Sequence, residues 1–196
     1  MLAPEDYYRF KDVTDPALSP DGAVVAYVVT SNDRESDSAK SAVWLVNWDG
    51  SDARAVTSGD NANHPAFSPD GRYLAFLSSR PADSTAQVWL LDRHGGEARQ
   101  LTRGAGEISS FSWSPDGRRM LLVVGKTEQG ESRSPKPIVI DGYHFKQDVE
   151  GYLTTDSHTH LRVIDVATGA VTEVTTQPEY DDDHAAWAPD GKTSPT

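Results

Sequence analysis

The sequence writes nearly the same turn four times: Ser19-Pro20-Asp21-Gly22, Ser68-Pro69-Asp70-Gly71, Ser114-Pro115-Asp116-Gly117 and Ala188-Pro189-Asp190-Gly191. Self-similarity of this kind constrains the fold more than any local propensity, because every copy must serve the same supersecondary place. The chemistry is that of a type I turn. Proline presets φ at the first central position, aspartate suits the second, and glycine accepts the positive φ that follows. Such a turn joins two antiparallel strands. Apolar runs follow the first three copies, Ala23 to Val29, Tyr73 to Leu77 and Met120 to Val124; after the fourth the chain reads Lys192-Thr193-Ser194-Pro195-Thr196.

Each unit divides into four strand-sized pieces. In the second, Pro65-Ala66-Phe67 enters the turn and Tyr73-Leu74-Ala75-Phe76-Leu77 leaves it, followed by Gln87 to Asp92, a Gly95-Gly96 turn and Ala98 to Thr102. The first unit repeats the second half as Val43 to Val46, Asp49-Gly50 and Arg54 to Thr57; the third as Leu161 to Asp165, Thr168-Gly169 and Glu173 to Thr175. Short β-branched and aromatic runs bounded by Gly, Asp and Pro are strands. Four of them every ~40–50 residues is the pattern of a propeller blade. The second strand of each unit is apolar on successive residues, which fits a sheet covered on both faces by neighbouring blades. The expected fold is all-β: a partial β-propeller over 1–196 of three four-stranded antiparallel blades and the first strand of a fourth. The blades fall at about 13–58, 63–103 and 108–177, and the fourth begins over 184–191. Pro4-Glu5-Asp6-Tyr7-Tyr8-Arg9-Phe10 predicts a short N-terminal helix, with proline and acids in its first turn.

The copies start at residues 19, 68, 114 and 188, so the last interval is longer by roughly 25 residues. The excess is an insertion over 126–160, polar from Lys126 to Lys136 and then carrying Ile138-Val139-Ile140, Tyr143, Phe145 and Gly151-Tyr152-Leu153. Its aromatic content favours an ordered segment, and Tyr143, His144, Phe145 and Tyr152 are the substrate-side candidates, able either to pack on the propeller or to line its opening.

The composition excludes several classes. A formal net charge of −12 argues against nucleic-acid and anionic-membrane partners. With no cysteine there are neither disulfides nor thiolate-bound metals. The opening residues show no signal peptide and no membrane span, so a cytoplasmic location is expected. No cofactor or metal is expected. His158-x-His160 beside Asp156, and Asp181-Asp182-Asp183-His184, read as surface charge because neither has a loop-closing ligand spacing. Gly130-Glu131-Ser132-Arg133-Ser134 lacks the final glycine of a nucleophile elbow. Gly191-Lys192-Thr193 and Gly104-Ala105-Gly106 lack the other glycines of phosphate-binding loops. Trp44, Trp89, Trp113 and Trp187 recur at blade-equivalent places, as packing between blades requires. No catalytic residue is assigned.

The opening from Pro4-Glu5-Asp6 through Asp15-Pro16-Ala17-Leu18-Ser19-Pro20-Asp21-Gly22 resembles the amino-terminal propeller of the prolyl oligopeptidase family. Within that family it resembles the acylaminoacyl-peptidase and dipeptidyl-aminopeptidase-like branch. Tyr143-His144-Phe145-Lys146 with Asp148 and Gly151-Tyr152, and Tyr180-Asp181-Asp182 ahead of Ala186-Trp187, extend the resemblance over the chain. The resemblance implies a serine peptidase whose propeller filters peptide substrates before an α/β-hydrolase domain. This chain carries only part of that propeller, so it is expected to be inactive alone. Its implied partners are the missing blades, the hydrolase domain and, in the complete enzyme, a peptide substrate, with self-association through an open blade edge. The reading from another class is a stand-alone protein- or ligand-binding propeller of TolB or WD-repeat type.

Overall fold

The computed structural model describes residues 3–58, 61–80, 85–104, 106–125, 158–177 and 180–191, and the backbone of 146–147 and 151–152. Three four-stranded antiparallel sheets make the body of the molecule. Blade 1 runs in chain order through β1 (Lys11–Leu18), β2 (Val24–Asp33), β3 (Ser38–Asn47) and β4 (Arg54–Ala55). Blade 2 is β5 (Asn63–Phe67), β6 (Tyr73–Ser78), β7 (Gln87–Asp92) and β8 (Arg99–Gln100). Blade 3 begins with β9 (Glu107–Trp113) and β10 (Arg119–Gly125). A small ladder of β11 (Lys146–Gln147) and β12 (Gly151–Tyr152) intervenes before β13 (Thr159–Asp165) and β14 (Val171–Glu173) complete the blade. The first strands of successive blades touch one another, so they form the inner side of the stack.

Corresponding register makes the blades superimposable in sequence. Leu18 lies opposite Val25, Phe67 opposite Leu74 and Trp113 opposite Met120. Side chains alternate across a strand, so each blade has two apolar faces. The rear face of blade 1 (Ala26, Val28, Val43, Leu45) packs on the front face of blade 2 (Phe67, Leu74, Phe76, with Trp89 and Leu91 beside them). The rear of blade 2 (Ala75, Leu77, Val88, Leu90) packs on the front of blade 3, including Phe111, Met120, Leu122 and Ile164. The rear of blade 3 (Leu121, Val123, Leu161) is covered by Ala185 and Trp187. This explains why β6 and β10 are buried on consecutive residues while β2 alternates between buried and half-buried.

Two features refine the sequence reading. The N-terminal segment is a 3-10 turn, Pro4–Arg9, in which the Asp6 amide donates to the Ala3 carbonyl at 2.9 Å. It stops at Phe10, whose φ of −69° and ψ of 140° are extended. A six-residue segment is too short for an α-helical hydrogen-bond ladder to outweigh its nucleation cost. Residues 184–191 belong to no ladder among the described residues, yet they repeat the opening-strand backbone. His184 has φ 51°, as Asp15 has 50° and His64 52° at the equivalent places.

Candidate functional site

The repeated turn is built around a serine. Ser68, 1% exposed, donates from Oγ to Asp70 Oδ1 at 2.5 Å and accepts the Tyr73 amide at 2.8 Å. Ser19 with Asp21 and Val24, and Ser114 with Asp116 and Arg119, repeat the arrangement. Each aspartate also accepts a backbone amide two residues on, from Ala23, Arg72 or Arg118. The serine hydroxyl, then that amide, holds the carboxyls of Asp21, Asp70 and Asp116 below the usual carboxylate range. In the fourth copy Ala188 has no hydroxyl, and the turn keeps its Gly191 amide to Ala188 carbonyl bond at 2.9 Å. These serines are structural: each hydroxyl is engaged with a carboxylate and backbone, without a histidine to take its proton.

The turns also join blades. A β-carbon placed on Gly71 would lie 3.8 Å from Pro20 Cδ, on Gly117 3.3 Å from Pro69 Cδ, and on Gly191 3.5 Å from Pro115 Cδ. Each proline therefore rests on the glycine of the following turn, at a positive φ that suits glycine. Beside this row, Trp113 Nε1 donates to the Ala66 carbonyl and Trp187 Nε1 to the Ser112 carbonyl, both at 3.2 Å. Sequence reasoning placed the prolines, aspartates and glycines within turns and missed their second role, because the partner lies one repeat away. It likewise missed Thr57, Thr102 and Thr175, whose Oγ1 atoms accept the amides of Val43, Val88 and Leu161 at 2.9–3.0 Å. The signal was present in the sequence as Val56-Thr57, Leu101-Thr102 and Val174-Thr175.

A groove of about 600 Å³ opens between blades 1 and 2 at the turn end, with Asp21, Arg54, Asp70, Arg72, Arg93 and His94 in its lining. Its origin is a substitution between equivalent positions. At the next junction Arg99 donates to the carbonyl of buried Val166 at 3.3 Å. Here Arg54 corresponds to Arg99 and pairs with Asp52, while Arg93 corresponds to Val166. Arg93 donates to the Gly71 carbonyl at 2.8 Å and lies 5.1 Å over the Phe67 ring. Two guanidiniums stand where the neighbouring junction has one and an apolar side chain, so this groove is open and polar.

The inner strands β1 and β5 carry bulges at Asp15 and His64, and the His64 amide donates to Asp15 Oδ2 at 3.2 Å. Non-glycine residues at positive φ are uncommon and mark places where a bulge re-aims a side chain. His184 repeats the conformation, and its hydrogen bond with Asp183 at 2.8 Å raises its imidazole above the usual range. His158 Nδ1 lies 3.4 Å from Asp181 Oδ1, and His160 Nδ1 lies 3.5 Å from Asp182 Oδ2. The Thr159 amide, then the neighbouring His158, lowers the Asp181 carboxyl. Among the described residues no group of three or more His, Cys, Asp or Glu is arranged to hold a metal ion. Tyr143, His144 and Phe145 lie outside the described residues, and of Tyr152 only the backbone, paired with Lys146, is described. No helix among the described residues is long and apolar enough to cross a membrane.

Comparison with known proteins places this architecture. The model of the TolB beta propeller domain, PD40, matches residues 9–133. The chain is 34% identical over 201 residues to the uncharacterized peptidase YuxL of Bacillus subtilis, covering 98% of this chain and 30% of that protein. It is 27% identical to dipeptidyl-peptidase 5 of Porphyromonas endodontalis, again over 98% of this chain and 30% of the relative. Among solved structures, acylaminoacyl peptidase of Pyrococcus horikoshii aligns with a TM-score of 0.73 and 26% identity, over 92% of this chain and 27% of its own. The chain thus spans about 30% of the length of these curated relatives, and what it matches is a propeller portion. The family model, covering more than half of the chain and agreeing with its stacked four-stranded blades, shows that the chain belongs to the TolB β-propeller domain family.

Proposed function

We propose that the chain is the non-catalytic, substrate-gating propeller portion of a serine peptidase resembling acylaminoacyl peptidase. The observation that carries this reading is similarity along 98% of the chain to peptidases of which it spans only 30%. The remaining length of such a protein would hold the other blades and an α/β-hydrolase domain, where a serine nucleophile, a histidine base and an oxyanion hole act on a peptide. The propeller's contribution is steric: it admits short peptides and excludes folded chains. Tyr143, His144, Phe145 and Tyr152 are the proposed substrate-side residues, from an insertion that leaves blade 3 at the end opposite its Pro115-Asp116-Gly117 turn. A cytoplasmic location and self-association of the separated chain through an open blade edge belong to the same proposal.

The match to the TolB propeller model favours one second reading, a stand-alone ligand- or protein-binding propeller. Nucleotide sequence beyond Thr196 separates the two. The peptidase reading expects further blades and then a Gly-x-Ser-x-Gly segment; a complete ring of blades with no hydrolase would overturn it.

A further inference from the structure

The groove between blades 1 and 2 is built around one cation. Arg93 is half-buried, donates from Nη1 to the Gly71 carbonyl at 2.8 Å and lies 5.1 Å over the Phe67 ring. Carbonyl and ring fix the guanidinium without neutralising it, and its further N–H donors form a planar fork suited to a carboxylate. The acids around it are already engaged. Asp21 and Asp70 line the groove, and Oδ1 of each accepts a serine hydroxyl and a backbone amide of its own turn. Asp52 pairs with Arg54, while Asp92 pairs with Arg72 at 3.2 Å and with His94 Nδ1 at 3.1 Å. Arg93 enters no ion pair among the described residues.

Beside this charge the groove has an apolar wall of Val24, Leu45 and Val46. Its volume of about 600 Å³ exceeds what a lone carboxylate fills and suits a larger ligand. At the next junction the same place is closed, because buried Val166 stands where Arg93 stands and Arg99 is spent on the Val166 carbonyl. The formal net charge of −12 repels anions at long range, so binding here depends on contact rather than on steering. That disfavours a polyanion such as nucleic acid and leaves a short acidic ligand with apolar flanks.

We infer that this groove binds an extended acidic peptide segment, with a ligand carboxylate on the Arg93 guanidinium and neighbouring apolar side chains on Val24, Leu45 and Val46. Alternating acidic and apolar residues match it, because an extended chain sends successive side chains to opposite walls. The carboxylate gains charge-assisted hydrogen bonds from a donor already held in place. Arg54 and Arg72 line the same groove and offset the repulsion from Asp21 and Asp70. The inference rests on the junction of blades 1 and 2 alone and on no step of hydrolysis.

The test uses the product of the complete reading frame, treated with a serine-directed inhibitor so that cleavage plays no part. Its probes are a fluorescein-labelled peptide of alternating valine and glutamate and the same peptide with glutamine, followed by fluorescence anisotropy. The glutamate peptide is expected to bind at least about tenfold more tightly, and Arg93→Gln to remove about that factor, with partial recovery in Arg93→Lys. Arg99→Gln, at the next junction, should change nothing. A second measurement leaves Arg93 intact. The chain has no cysteine, so His94→Cys, at an exposed position in the lining, reports the groove by its rate of maleimide labelling. The glutamate peptide should slow that rate and leave exposed Ser36→Cys, in the β2–β3 hairpin, unaffected. Equal affinity for the two peptides, undiminished affinity in Arg93→Gln, or unprotected His94→Cys overturns the inference. Displacement of the peptide by an equal concentration of acetate also overturns it, since a simple anion would then suffice. Peptidase activity enters none of these outcomes, so this inference and the proposed function fail separately.

Discussion

Ser68 shows how much one buried hydroxyl carries, since it donates to Asp70 and accepts the Tyr73 amide within a turn closed by the Gly71 amide. Ser68→Ala leaves the Tyr73 amide without its hydroxyl partner and is expected to cost about 1–2 kcal/mol at neutral pH by denaturant unfolding. The cost depends on pH. Asp70 is held below its usual range in the folded state by the Ser68 hydroxyl, then the Arg72 amide. Its contribution is therefore present above the unfolded carboxylate range and lost as pH falls through the lowered folded value. The Ser68→Ala penalty should shrink between pH 7 and about pH 3; a penalty that grows on acidification would contradict this. Gly106 makes a second residue-scale test. A β-carbon there would lie 2.3 Å from the Gly125 carbonyl oxygen, and φ is 120°. Gly106→Ala should lose about 3 kcal/mol, because backbone on both sides must move. The same substitution at open Gly22 carries only its backbone strain and should cost clearly less.

Among elements, the repeated turn announced the blades, and strand pairs flank its first three copies. What a single copy could not announce is what a blade does to its neighbour. Pro69 fits a turn on sequence grounds, but its contact with Gly117 exists only once two blades stack. Asp15 and His64 each precede a proline in the sequence, but their positive φ at the bulges of β1 and β5 was not legible there. The helix signal at Pro4 to Asp6 was real chemistry over too few residues, and a 3-10 turn results. The aromatic insertion residues were legible as candidates only, because what fixes their place lies beyond the described residues. Trp187 tests the element-scale account. Trp187→Phe removes the bond to the Ser112 carbonyl and should cost about 1 kcal/mol. Trp187→Ala also uncovers Leu121, Val123 and Leu161 and should cost about 3 kcal/mol. Equal losses in the two variants would show that Trp187 does not cover blade 3.

The described residues form a run of blades held together by face-to-face packing, with a polar groove at one junction. The chain's acidity, a formal net charge of −12, leaves recognition to local features such as this groove rather than to long-range attraction of anions. Such a run is proposed to be the non-catalytic part of a serine peptidase. That proposal is tested most directly by serine-inhibitor-sensitive hydrolysis of acylated and dipeptidyl chromogenic peptides, measured in parallel on the 196-residue chain and on the product of its complete reading frame. Turnover is expected from the complete product, abolished by the inhibitor, and none from the 196-residue chain. Inhibitor-sensitive turnover by the chain alone, or its absence from the complete product, would contradict it.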